Sequence, residues 1–176
     1  PISIRVNPDI DAGTHEKIST GKSDNKFGIP YLEAVKTFEK ASLLSNLKVS
    51  GLAVHIGSQL TDLEPYKRTF LKIANLVSVL RSNGNKIKSL DLGGGIGISY
   101  VDGTKTIDLV EYGKLVQSSL GYLDCDFEFE PGRLIVGNSG LLVSSVIYLK
   151  YLKDRNFIIV DAAMNDLIRP AMYDAY

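Results

Sequence analysis

The feature that most constrains the fold is Asp91-Leu92-Gly93-Gly94-Gly95-Ile96-Gly97, where the apolar-rich run Ile87 to Leu92 breaks into three consecutive glycines. Glycine loses more backbone entropy on folding than other residues and packs no side chain, so a triplet is a poor way to continue a strand. It suits a place where the main chain turns sharply and comes close to something else. A phosphate group is one such thing, since backbone N–H groups with no Cβ in the way can surround its oxygens. The spacing is neither Gly-x-Gly-x-x-Gly nor Gly-Lys-Ser/Thr, so neither a dinucleotide fingerprint nor a P-loop is indicated. On its own, the triplet is better explained as a tight turn from strand to loop, and only its company of motifs favours the phosphate.

Strands and helices alternate on either side of it. Ile2 to Val6 is β-rich and stops at the turn signal Asn7-Pro8-Asp9. A polar loop follows from Asp11 to Lys26, holding His15, Lys17, Lys22 and Lys26, and is longer than a simple connector needs to be. Pro30 suits a first helical turn, with Leu32, Val35, Phe38 and Ala41 as its apolar stripe. Leu47 to Ile56 reads as a buried strand that runs into His55-Ile56-Gly57-Ser58-Gln59. The clearest helix carries Pro65 near its start, Tyr66, Phe70, Ile73, Val77 and Leu80 at helical spacing, and Gly84 after its end. Leu109, Tyr112, Val116 and Leu120 mark another helix, and Asp126 to Glu130 a short strand ending in Glu130-Pro131-Gly132-Arg133.

Alternation of this kind predicts parallel βαβ units with right-handed crossovers, an α/β fold. In such sheets chemistry gathers at the carboxyl ends of the strands. Here those ends carry His55 and Ser58, then the glycines, then Glu130 and Arg133. Beyond Asn138-Ser139-Gly140 the pattern changes to two β-rich runs, Leu141 to Leu152 and Phe157 to Val160, joined by a short polar link that predicts an antiparallel hairpin. A boundary is therefore placed near residue 140, giving units 1–140 and 141–176. Asp161 to Tyr176 has no clean period.

Lys+Arg and Asp+Glu both total 20, the basic residues are scattered, and neither a nucleic acid nor a membrane surface is indicated as partner. No run approaches the ~20 apolar residues that span a bilayer. The single cysteine, Cys125, rules out an internal disulfide framework, fits a reducing, cytoplasmic setting and is read as structural. No metal-ligand constellation stands out. The start at Pro1 inside a strand and the stop at Tyr176 are those expected of an excerpt from a longer protein.

His55-Ile56-Gly57-Ser58-Gln59, Asp91-Leu92-Gly93-Gly94-Gly95, Glu130-Pro131-Gly132-Arg133 and the segment Val160 to Tyr176 occur in that order. The set resembles the pyridoxal-phosphate-dependent, alanine-racemase-like decarboxylases, and Val160 to Tyr176 is similar to the diaminopimelate decarboxylases among them. Arg5-Val6-Asn7-Pro8-Asp9 and the Ser19-Thr20-Gly21…Lys26-Phe27-Gly28 loop agree. The resemblance implies the second half of an eight-stranded α/β barrel followed by the start of an antiparallel β domain. It implies pyridoxal phosphate as cofactor, with Gly93, Gly94, Gly95, Ser58, Gly132 and Arg133 around the phosphate. Glu130 would face the pyridine nitrogen and His55 would stack on the ring, both as catalytic residues. Arg133, Arg169 and Tyr173 would surround the substrate, where paired guanidinium groups suit a distal carboxylate. It also implies a homodimer with shared active sites, at most with Lys26 near the subunit contact.

The parent so implied releases CO₂ from meso-diaminopimelate to give L-lysine. Other readings remain open: a different decarboxylase or a racemase of the group, a non-catalytic cofactor- or partner-binding relative, or an unrelated phosphate-binding barrel. The lysine that bonds the cofactor, the proton-donating cysteine with its neighbouring glutamate, and the tyrosine that closes the phosphate site have no counterpart in this sequence. The segment alone is therefore expected to be inactive.

Overall fold

The computed structural model describes residues 1–11, 26–101 and 103–173. His15, Lys17, Lys22 and the Ser19-Thr20-Gly21 part of the loop lie outside the described residues.

Five parallel strands form one sheet: β1 (Ile2–Asn7), β2 (Ile29–Pro30), β3 (Val49–Ala53), β4 (Ser89–Asp91) and β5 (Asp126–Glu128), in the order β2-β1-β3-β4-β5. Helix α1 (Ala34–Ser42) links β2 to β3, α2 (Glu64–Ser82) links β3 to β4, and α3 (Leu109–Leu120) links β4 to β5. The alternation expected of parallel βαβ units is present.

Register explains why one face of the sheet is apolar. Leu52 and Leu90 are paired neighbours and almost wholly buried, with Ile4 and Phe127 flanking them in the same row. They pack with Tyr66, Phe70, Ile73, Val77 and Leu80 of α2, and with Tyr112, Val116 and Leu120 of α3. Successive residues in a strand point to opposite faces, so the next rows project the other way. Those rows are Ser3, Gly51, Ser89 and Asp126, then Arg5, Ala53, Asp91 and Glu128. The β3 stretch expected to be buried throughout is thus two-sided.

Boundaries shift from the sequence reading in several places: β3 covers Val49–Ala53 of the expected Leu47 to Ile56, and the first hairpin strand covers Val146–Tyr151 of the expected Leu141 to Leu152. Leu32 falls in a 3-10 turn, Tyr31–Glu33, ahead of α1 and is 90% exposed; Ala34 and Phe38 are the buried residues of that helix. Strands β4 and β5 are short because the chain diverts at the glycines and at Pro131, where regular pairing stops.

Past the sheet come a single-turn helix α4 (Arg133–Val136), the antiparallel pair β6 (Val146–Tyr151) and β7 (Asn156–Val160), and α5 (Arg169–Tyr173). The hairpin forms as its β-rich runs predict. Both of its faces are open: Ile147, Tyr148, Tyr151 and Ile158 are each more than 60% exposed. Among the described residues no helix is long and apolar enough to cross a membrane.

Candidate active site

The strand ladder continues past the regular elements and draws three loops together. Val54 N–H donates to the Asp91 carbonyl, Leu92 N–H to that of Glu128, and Glu130 N–H to that of Gly93, at 2.8 to 2.9 Å. His55, the glycine turn and Glu130 therefore stand side by side at the carboxyl ends of β3, β4 and β5.

The glycines are required by main-chain crowding. A Cβ on Gly93 would strike the Val54 carbonyl oxygen, one on Gly94 that of Glu130, and one on Gly95 that of Gly57. Gly93 and Gly95 also have φ of +67° and +93°, a region other residues rarely adopt. The Gly93 N–H donates to the Asp91 carboxylate at 2.9 Å, and the Gly94 N–H to His55 Nδ1 at 3.3 Å. Both residues are buried behind the turn, while Gly95 reaches its surface.

Gly95, His55, Ser58, Gln59, Glu130, Gly132 and Arg133 line one pocket of about 200 Å³. A larger cavity of about 520 Å³ lies at the opposite, amino-terminal end of the strands, lined by Arg81, Lys88 and Cys125 among others. There Arg81 donates to Cys125 Sγ at 3.1 Å, and burial outweighs the nearby guanidinium in holding the thiol above its ordinary pKa. Size does not locate the chemistry here. The small pocket is the one with a converging imidazole, hydroxyl, carboxylate and guanidinium.

His55 accepts at Nδ1, which places its ring proton on Nε2. Burial, helped by the positive charge of Arg5 and opposed by Asp91, holds its pKa below the ordinary histidine value. Arg133 donates to Gln59 Oε1 at 2.9 Å. Gln59 in turn clamps Ile98, giving its Nε2 proton to the Ile98 carbonyl at 2.6 Å and accepting the Ile98 amide at 3.3 Å. Its left-handed backbone, φ +63°, aims the side chain across the loops.

Arg169 stands outside the pocket lining, its guanidinium 4.1 Å from the centre of the Tyr100 ring and 5.9 Å from that of Tyr173. Arg133 lies 5.8 Å from the same Tyr100 ring. Tyr100 is therefore the platform that gathers both arginines. Neither its role nor that of Gln59 is evident in the sequence: each is a single loop residue, outside any periodic pattern.

The donor set fits pyridoxal phosphate. The Ser58 hydroxyl, the Gly95 and Gly132-Arg133 main chain and the guanidinium suit an anion. A neutral imidazole and a carboxylate at the same pocket suit an aromatic base beside it.

Residues 1–137 match the family model described as pyridoxal-dependent decarboxylase, pyridoxal binding domain. The chain is 49% identical to the diaminopimelate decarboxylase of Neisseria meningitidis serogroup B, over 100% of this chain and 42% of that protein. It is 48% identical to the diaminopimelate decarboxylase of Pseudomonas aeruginosa, again over 100% of this chain and 42% of that protein. Among solved structures, that of Helicobacter pylori diaminopimelate decarboxylase complexed with L-lysine superposes with a TM-score of 0.94 at 45% identity, covering 99% of this chain and 43% of that one. Lysine decarboxylase from Selenomonas ruminantium superposes at 0.82 with 25% identity, covering 98% of this chain and 44% of that one. The chain spans about two fifths of the length of the curated relatives it matches.

Proposed function

We propose a function from one premise: the chain belongs to the pyridoxal-dependent decarboxylase family, whose pyridoxal-binding domain it matches over residues 1–137. Its parent removes the α-carboxylate of meso-diaminopimelate as CO₂ and yields L-lysine, with pyridoxal phosphate as cofactor. The observation that carries this is the meeting of His55, Ser58, Gly95, Glu130, Gly132 and Arg133 at one pocket, on loops that follow three adjacent strands. Their chemistry agrees with relatives that are diaminopimelate decarboxylases.

When bound, pyridoxal phosphate supplies the electron sink that makes loss of the carboxylate feasible. The protein's part is binding, orientation and proton placement. Ser58, Gly95 and the Gly132-Arg133 main chain would hold the phosphate oxygens; Gly93 and Gly94, buried behind them, set the shape of the turn. Glu130, which lines the same pocket, would hold a proton at the pyridine nitrogen of the bound cofactor. His55, neutral and fixed by the Gly94 amide, would hold the aromatic ring of the cofactor from one side of the pocket. Arg133 and Arg169, with Tyr173, grip the distal carboxylate that diaminopimelate has and lysine, ornithine and agmatine precursors lack at that position.

The architecture behind this reading is the second half of an eight-stranded α/β barrel over residues 1–140, followed by the beginning of an antiparallel β domain over 141–176. The polar second face of the sheet supports a barrel interior, and the isolated hairpin supports the second unit. The working protein is a cytoplasmic homodimer with shared active sites. A second reading, decarboxylation of another basic amino acid, is favoured by the likeness to lysine decarboxylase.

Full-length protein loaded with pyridoxal phosphate decides between them. Release of CO₂ from meso-diaminopimelate, with little from lysine, ornithine or arginine, is the expected result. Preference for one of the latter three would move the assignment to the second reading.

A further inference from the structure

The hydroxyl of Tyr66, near the start of α2, donates to the Gly94 carbonyl at 3.0 Å. Tyr66 is only 1% exposed, and its ring is wedged edge-on against Tyr112, centroids 5.2 Å apart, with Phe70 beside it. Burial keeps the hydroxyl protonated, hence a donor, by raising its pKa. The carbonyl it holds belongs to the peptide that joins Gly94 to Gly95.

Among the described residues all peptide bonds are trans. In a planar trans peptide, the C=O and the following N–H point in opposite directions. With the Gly94 oxygen turned toward α2, the Gly95 N–H is turned away from it, and Gly95 itself lines the pocket. Between two glycines that plane would otherwise be cheap to flip, because neither flanking residue has a Cβ to restrict its torsions. A rigid aromatic side chain locked in the core is what fixes it.

We propose that Tyr66 is a positioning residue for the cofactor phosphate: by holding the Gly94 carbonyl it aims the Gly95 amide into the pocket. This rests on the reading of that pocket as the pyridoxal phosphate site. Tyr66 is buried and is not among the residues that line the pocket, and nothing in its spacing on α2 distinguishes it from the other core residues of that helix.

The test uses full-length apoprotein and absorbance titration with two ligands, pyridoxal phosphate and pyridoxal, which lacks the phosphate. Tyr66→Phe keeps the ring and deletes the hydroxyl. Its dissociation constant for pyridoxal phosphate should rise about three- to tenfold, the effect of one hydrogen bond, while that for pyridoxal stays at the wild-type value. Tyr112→Phe, which deletes a hydroxyl from the same ring cluster, should change neither. A general loss of folded protein in Tyr66→Phe would alter both affinities alike, so their ratio remains the readout even if the variant melts earlier. Equal changes for both ligands, or no change, overturn the inference while leaving the cofactor site intact. A wild-type protein that does not prefer the phosphorylated ligand overturns the cofactor reading, and the role of Tyr66 with it.

Discussion

His55 is the residue whose ionisation matters most to the site. A neutral imidazole can accept the Gly94 amide at Nδ1; an imidazolium, with donors at both nitrogens, cannot. Burial and Arg5 depress its pKa in the folded protein. The unfolded chain therefore binds a proton first, at about pH 6.5. The contribution of His55 to stability is complete above that value and is lost as pH falls through the window down to the folded-state pKa. The melting temperature of the wild type should accordingly fall more steeply between pH 7 and pH 5 than that of His55→Gln, whose side chain does not titrate. Parallel slopes would mean the histidine is not buried neutral. At Gly94 the demand is steric. Gly94→Ala drives a methyl group into the Glu130 carbonyl oxygen, a backbone atom that can move only by shifting the loop. The cost should exceed about 2 kcal/mol in denaturant unfolding, among the larger effects of single substitutions.

Element α3 offers the opposite case. Gly113 lies in its interior, and a Cβ there meets nothing within 4 Å. Gly113→Ala should stabilise the protein by about 0.5–1 kcal/mol, because alanine gives up less backbone entropy in a helix. The same helix begins at Asp108, whose carboxylate accepts the Val110 and Glu111 amides at 2.7 and 3.3 Å. Asp108→Ala should cost about 1 kcal/mol by the loss of that cap. Both shifts are readable as changes in the urea midpoint at constant slope. Helices α2 and α3 were legible in the sequence because Tyr66, Phe70, Ile73, Val77 and Leu80, and Tyr112, Val116 and Leu120, keep the spacing of one buried face. Leu32 kept the spacing too, yet fell in a tighter turn where that periodicity does not apply. In the site, the placement of His55 and Glu130 could be read because each follows a strand directly. The Tyr100 platform, the Gln59 clamp and the Tyr66 anchor could not, since each depends on how separate loops and helices meet in three dimensions.

At the scale of the whole molecule, the two ends of the chain present different surfaces. The sheet and its three helices bury a continuous apolar core, whereas the segment beyond it leaves Leu141 95% and Val143 87% exposed, along with most of the hairpin. A surface of that kind is seldom left open to water, and an uncovered two-stranded hairpin is marginal by itself. The second face of the sheet, with Ser3, Arg5, Asp91 and Glu128, is polar, and among the described residues β2 and β5 are its unpaired edges. The 176-residue chain produced alone should therefore bind an environment-sensitive hydrophobic dye and run on size exclusion as a concentration-dependent mixture of species, whereas the full-length protein should bind no dye and elute as the one proposed dimer. It should also release no CO₂ from meso-diaminopimelate. The described lining of the pocket contains an imidazole, a hydroxyl, a carboxylate and a guanidinium but no lysine amine to bond the cofactor carbonyl. A monomeric, dye-free chain with measurable turnover would mean that these surfaces are already satisfied and that the amine comes from within residues 1–176. Loss of dye binding together with gain of turnover on going to the full-length protein would tie the covering of the hairpin to completion of the site.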